Sequence, residues 1–228
     1  MDLLDFFRRK EKAAQREMPL AAARYVVVDT ELTGLDERKD SIVSIGAIRM
    51  EGGRICMGET FYCLVRPETE MRRESIIVHG ITPSEACDGH SIEDALSGLS
   101  RFCGDDIVTG HFISIDLAFI NREMKRLFRK RLKNAAVDTF ALYDWLRMRG
   151  KVDHPRYYRL YEIAKAMDIP VEGSHNALVD AFITAQLFQR LLPGLMEAGV
   201  TDLGGILSIG HPSKGGEGKS VYGEICNF

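Results

Sequence analysis

Residues 24–35 read RYVVVDTELTGL, an apolar, β-branched run that passes directly into two carboxylates one residue apart and then a Thr-Gly turn signal. A short run of this kind predicts a buried strand near Arg24–Asp29. Successive side chains alternate faces along a strand, so Asp29 and Glu31 project together while Thr30 points the other way. Two acids on one face repel each other unless positive charge lies between them, and a divalent cation is the usual answer. A strand end with solvated acids is the plainer alternative. Either way the fold must accommodate a strand that carries charge at its end.

Around this strand the remaining segments alternate in type. Ser41–Met50 and Arg54–Val65 predict a hairpin turning at Gly52-Gly53. Ser91 is a plausible N-cap for a helix carrying Ile92, Ala95, Leu96, Leu99 and Phe102. Asp106–Gly110 and Ala135–Asp138 predict two further strands, with a helix over Ser114–Lys133 between them. Later helices are expected over Thr139–Arg149, Tyr158–Met167 and Asn176–Leu192, the last stopped by Pro193-Gly194. Antiparallel strands followed by alternating strands and helices predict a mixed α/β sheet. Residues 1–20 are expected to form a helical extension, 21–194 the domain, and 195–228 a glycine-rich tail that is flexible or ordered by a partner.

The chain has 228 residues, 45% of them hydrophobic, enough for one well-buried domain. Its net charge of −3 excludes the basic type that coats nucleic acid nonspecifically. Five cysteines without a CxxC pair favour reduced thiols over a disulfide framework or a zinc site. No apolar stretch is long enough to cross a bilayer, and the N-terminus does not read as a secretory signal. A cytoplasmic location, with no membrane association, is therefore expected.

Two later segments carry further acids. In TGHFISIDLAFINREM, Asp116 lies in the first turn of a helix, where the helix dipole alone would favour it. In GSHNALVDAFITAQLF, His175 stands at a helix start and Asp180 shares an apolar face with Ala177, Ala181 and Ala185. A carboxylate among alanines needs a partner, because burying an unpaired charge is costly.

Taken in order, DTELTGL, the Asp116 segment and HNALVDA resemble the DnaQ-like, or DEDDh, 3′-to-5′ exonucleases, from about Tyr25 to Leu192. SIVSIGAI and the VHGIT element at Val78–Thr82 match as well. Where many members of the family have an asparagine and a phenylalanine in the second motif, this chain has His111 and Ile115. The resemblance implies a ribonuclease-H-like mixed five-stranded sheet flanked by helices. It implies a catalytic set of Asp29, Glu31, Asp116, His175 and Asp180, in which the four carboxylates hold two divalent cations. Asp29 would bridge both ions, Glu31 and Asp180 would complete one site, Asp116 would hold the other, and His175 would act as general base. Mg²⁺ is the expected ion, and Mn²⁺ should substitute because the ligands are hard oxygens. Thr33, Leu35, Glu74 and His79 fall where the family grips the terminal nucleotide.

The activity so implied is 3′-to-5′ hydrolysis of single-stranded or frayed DNA to nucleoside 5′-monophosphates. Trimming of RNA 3′ ends is an alternative within the same chemistry, and a catalytically weak nucleic-acid-binding module is a third reading. A polymerase or other protein partner would dock through the terminal extensions. The run NREMKRLFRKRLKN carries seven cations between Arg122 and Lys133. It reads either as a guide for the phosphate backbone or as a solvated helix face.

Overall fold

The strand that begins at Arg24 runs further than its apolar stretch: β1 spans Arg24–Leu32 and carries both acids within it. In the structure, a computed structural model describing residues 16–152, 159–173 and 175–213, β1 is the middle strand of five. It pairs antiparallel with β2 (Ile42–Glu51), which pairs antiparallel with β3 (Arg54–Leu64). On its other side it pairs parallel with β4 (Ile107–Gly110), and β4 pairs parallel with β5 (Ala136–Asp138). The order is β3-β2-β1-β4-β5, the expected mixed five-stranded sheet.

Helices cover both faces, which is why residues 25–28 of β1 are apolar at every position rather than at alternate ones. Short helices α1 (Arg73–His79) and α2 (Pro83–Cys87) follow β3. The rest are α3 (Ile92–Cys103), α4 (Ser114–Phe128), α5 (Thr139–Arg147), α6 (Leu160–Ala166), α7 (Ala177–Glu197) and α8 (Leu203–Ile209). Tyr25 and Val27 pack with Tyr143 of α5 and Phe188 of α7 on one face. Val26 and Val28 pack with Leu96 of α3 and Phe119 of α4 on the other. Odd-numbered β1 positions therefore look toward α7, and even-numbered ones toward α4.

Several expectations need correction. The helix expected to reach Lys133 ends at Phe128, where Arg129 turns into the left-handed region at φ 55°. The Asn121 side chain then accepts the Leu132 N–H at 2.9 Å, giving the loop backbone a partner outside the helix. Pro193 does not stop its helix, which continues to Glu197. Proline removes one N–H there, while buried Leu192 and Leu195 hold the last turns on the core.

The glycine-rich stretch is not a free tail through residue 213. Asp202 caps α8 by accepting the Gly205 N–H at 2.8 Å, and Leu203 and Ile206 are buried. The glycines permit close packing, since a Cβ on Gly210 would press on Val137 of β5. The Asp138 N–H donates to the Gly210 carbonyl at 2.7 Å. Residues 1–15, where the N-terminal helix was expected, and 214–228 lie outside the described residues. Among the described residues, no helix is long and apolar enough to cross a membrane, and Cys56, Cys63, Cys87 and Cys103 are free thiols.

Candidate active site

The alternation along β1 sends the acids of the first motif toward α7. Asp29 lies opposite Gly46 of β2 in the antiparallel ladder. A Cβ on Gly46 would overlap the backbone of Ala177 and Leu178, so this glycine lets the first turn of α7 rest directly on the sheet. Buried Ala177, Ala181 and Ala185 keep the remainder of that helix close. Asp180, one turn in, thereby reaches the strand. Oxygens of Asp29, Glu31 and Asp180 all lie within 4.8 Å of one another.

Asp116 arrives from the other face. Thr30, the even-numbered residue between the two acids, donates its hydroxyl to Asp116 Oδ1 at 2.6 Å. Asp116 stands outside the three-acid cluster, yet its charge helps to raise both Asp29 and Glu31. Burial is the larger cause in each case: it holds Asp29 well above the usual carboxylate range and pushes Glu31 up to about 8. Asp116 is pushed up by burial to about 7, against the lowering effect of the Thr30 hydrogen bond. Asp180 is raised by burial as well, and its Oδ1 is buried without a hydrogen-bond partner. Acids that are costly to ionise together, one with an orphaned oxygen, fit a site for divalent cations.

His175 is exposed and holds a left-handed backbone at φ 67°, unusual for a residue with a side chain. Its N–H faces two acceptors, the Tyr161 hydroxyl at 3.0 Å and Asp180 Oδ2 at 3.1 Å. Tyr161 of α6 also donates to Asp180 Oδ2 at 2.5 Å, and its ring meets the imidazole edge-on at 4.9 Å. Sequence reasoning missed Tyr161. A tyrosine in an ordinary amphipathic helix carries no local signal of what its hydroxyl reaches.

Asp138 was also missed. Its Oδ1 caps α5 by accepting N–H groups of Phe140 at 2.9 Å and Phe112 at 3.2 Å, while Oδ2 is buried without a partner. Burial pushes this carboxyl up to about 7, with Asp116 adding to the shift. His111, in the departing second motif, lies 3.0 Å through Nδ1 from the Thr139 hydroxyl, and Ile115 packs into the core.

The residues expected at the substrate separate into two kinds. Leu35 is 41% exposed, and Glu74 is exposed on α1 beside Ile77, which is 72% exposed. Thr33 is fully buried, its hydroxyl accepting the Ser41 N–H at 2.9 Å and lying 3.2 Å from that of Thr69. His79 is buried, with Nδ1 accepting the Ile81 N–H at 3.0 Å and Nε2 unpartnered. Burial and the neighbouring His175 lower its pKa. Asp40 ties the Leu35 loop to α1, accepting from Arg72 at 3.1 Å and from the Asp36 N–H at 2.8 Å.

Comparison with known proteins agrees with this geometry. The family model described as exonuclease, of the RNase T type, matches residues 26–188. The DNA polymerase III subunit epsilon of Aquifex aeolicus is 34% identical over 171 residues, 75% of this chain and 81% of that protein. An epsilon-like protein of Rhodobacter capsulatus is 33% identical over 207 residues, covering 90% of this chain but 29% of the relative. The PolC-type polymerase III of Thermotoga maritima is 31% identical over 182 residues, and the match covers 79% of this chain and only 13% of that protein.

Two of the solved structures that share the fold are DNA complexes. One is Exonuclease X in complex with 5′ overhanging duplex DNA, at TM-score 0.63 and 21% identity, covering 82% of this chain and 98% of that one. The other is E. coli Exonuclease I in complex with a dT13 oligonucleotide, at TM-score 0.69 and 17% identity, covering 78% and 42%. The acids at the end of β1, the neighbouring residues of α4 and α7, and a family match over most of the sheet converge on one assignment: this chain belongs to the exonuclease family, in its DnaQ-like branch.

Proposed function

We propose that the chain is a divalent-metal-dependent 3′-to-5′ exonuclease acting on single-stranded or frayed DNA ends and releasing nucleoside 5′-monophosphates. The observation that carries this reading is the meeting of Asp29, Glu31 and Asp180 within 4.8 Å, with Asp116 adjoining. Asp29, Glu31 and Asp180 would hold one cation, and Asp29 with Asp116 a second, Mg²⁺ being the expected ion and Mn²⁺ an effective substitute. Two such ions, when bound, supply water activation, screening of the phosphate charge and stabilisation of the leaving oxygen.

The chain's own groups would do the rest. His175, beside Asp180 and open to solvent, would take the proton of the attacking water as general base. Leu35 would pack on the terminal base, and Glu74 and His79 would meet its sugar. With its hydroxyl engaged in the loop, Thr33 would contribute through its backbone. A preference for DNA and a polymerase partner draw support from the Aquifex and Rhodobacter names and from the DNA in the two solved complexes.

The test is degradation of matched DNA and RNA oligonucleotides labelled at the 5′ end, with Mg²⁺, Mn²⁺ or EDTA. Stepwise shortening of DNA from its 3′ end, abolished by EDTA, is expected. Faster shortening of RNA would overturn the substrate assignment, and no cleavage of either would overturn the enzyme reading.

A further inference from the structure

The seven cations of the Arg122–Lys133 run are not equivalent. Arg122 pairs with Glu123 at 2.7 Å and donates to the Glu37 carbonyl. Arg126 pairs with Glu123 at 2.6 Å and with Glu68 at 2.7 Å. These two arginines brace α4 against neighbouring loops. Lys125, Arg129 and Arg131 are exposed and form no ion pair with an acid among the described residues.

These three cations share one groove. Asp116, Phe119, Ile120, Glu123 and Met124 form the buried face of α4. On its outer face lies a groove of about 720 Å³ lined by Glu37, Ser114, Arg122, Lys125, Arg129 and Arg131, among others. One end is at Ser114, the first residue of α4, while Glu37, from the loop after β1, meets Arg122 further along. The other end is the turn after α4, where Arg129 holds φ 55° and Asn121 secures the Leu132 N–H at 2.9 Å. A left-handed arginine costs free energy that a glycine there would avoid, and the turn it makes sets Arg129 and Arg131 on the groove.

We propose that this groove is a track for the phosphate backbone of the strand being degraded, upstream of its 3′ end. The proposal rests on the nuclease reading above and extends it from the reacting end to the body of the substrate. The buried acids of the site repel a polyanion, so unpaired cations elsewhere along its path would help to draw it in. From Ser114 to Phe128 the helix advances about 21 Å, room for several nucleotides of a single strand. Sequence-independent contacts of this kind suit an enzyme that must accept whatever bases follow.

The experiment compares wild type with K125E/R129E/R131E and the neutral K125Q/R129Q/R131Q, each checked for an unchanged melting temperature. Binding of a labelled 20-nucleotide DNA strand is followed by anisotropy in EDTA across a salt series, beside turnover of a trinucleotide with Mg²⁺. The glutamate variant is expected to bind the 20-mer at least tenfold more weakly, and its log-log salt slope to be shallower by about 2, from three contacts at about 0.7 each. The glutamine variant should show a similar slope, and trinucleotide turnover should not change in either. An unchanged slope would overturn the track. So would competition by polyglutamate as effective as that by DNA. The binding arm needs no catalysis, so inactivity of the wild type would defeat the nuclease reading while leaving the groove to be judged by its salt slope.

Discussion

The Tyr161 hydroxyl lies 2.5 Å from Asp180 Oδ2 and 3.0 Å from the backbone nitrogen of His175, so one side chain of α6 holds both residues of the third motif. With Oδ2 engaged by the tyrosine, the unpartnered Oδ1 is left for a cation. Tyr161→Phe removes this hydroxyl and little else. Turnover and divalent-ion affinity should each fall about 10–100-fold, the range for partners that orient metal ligands, with the melting temperature nearly unchanged. Unaltered Mn²⁺ titration and turnover would show that Tyr161 only packs.

Close approach of α7 to the sheet makes Gly46 equally sensitive. Gly46→Ala puts a methyl group into the backbone of Ala177 and Leu178 and displaces the turn that delivers Asp180. A stability loss of about 1–3 kcal/mol from overpacking, with turnover reduced more than a hundredfold, is expected in denaturant melts and rate assays. Wild-type turnover in this variant would mean that α7 can shift without moving its carboxylate.

The buried acids set a pH dependence of stability. A carboxyl whose native pKa is raised holds its proton more tightly when folded, so its contribution is complete below the unfolded value and is lost as pH rises through the native one. For Asp138 that window runs from its ordinary 3.8 up to about 7, and for Glu31 from 4.5 to about 8. Metal-free protein should therefore melt at lower temperature as pH rises from 5 to 8. Asp138→Asn, which keeps an oxygen for the Phe112 and Phe140 N–H groups, should flatten part of that decline. Divalent cations, which favour ionised ligands, should counter it. A melting temperature that climbs with pH in EDTA would contradict the placement of these acids.

Asp29→Ala and His175→Ala should each cut turnover by at least a hundredfold while the protein remains folded by circular dichroism. A folded Asp29→Ala protein with a near-normal rate would remove the basis for the metal site.

Leu203→Ala tests the C-terminal packing. Leu203 is the buried first residue of α8, so its truncation should cost about 2–5 kcal/mol. A free tail would show no effect.

Much of this architecture was legible along the chain because its signals are local. The β-branched run of β1, the Gly52-Gly53 turn and the Ser91 cap each act within a few residues, and each forms as expected. The errors arise where distant contacts outweigh a local preference. Pro193 stays helical because Leu192 and Leu195 are held in the core, and glycines 204, 205 and 210 pack closely within α8 and at its end rather than loosening a tail. The helix of the basic run stops early because Asn121 supplies the following turn with a partner.

By itself the sequence determined the first strand and the order of the acid-bearing segments, since strand alternation alone puts Asp29 and Glu31 on one side and Thr30 on the other. Only the tertiary structure decided what each side meets. Gly46 admits α7 and its Asp180 to the odd-numbered face, Thr30 reaches Asp116 of α4 across the even-numbered one, and Tyr161 closes over the third motif from a separate helix. Residues 86 and 151 positions from the strand come to its end because packing on both faces of one sheet overrides their separation along the chain, a constraint that local periodicity does not encode.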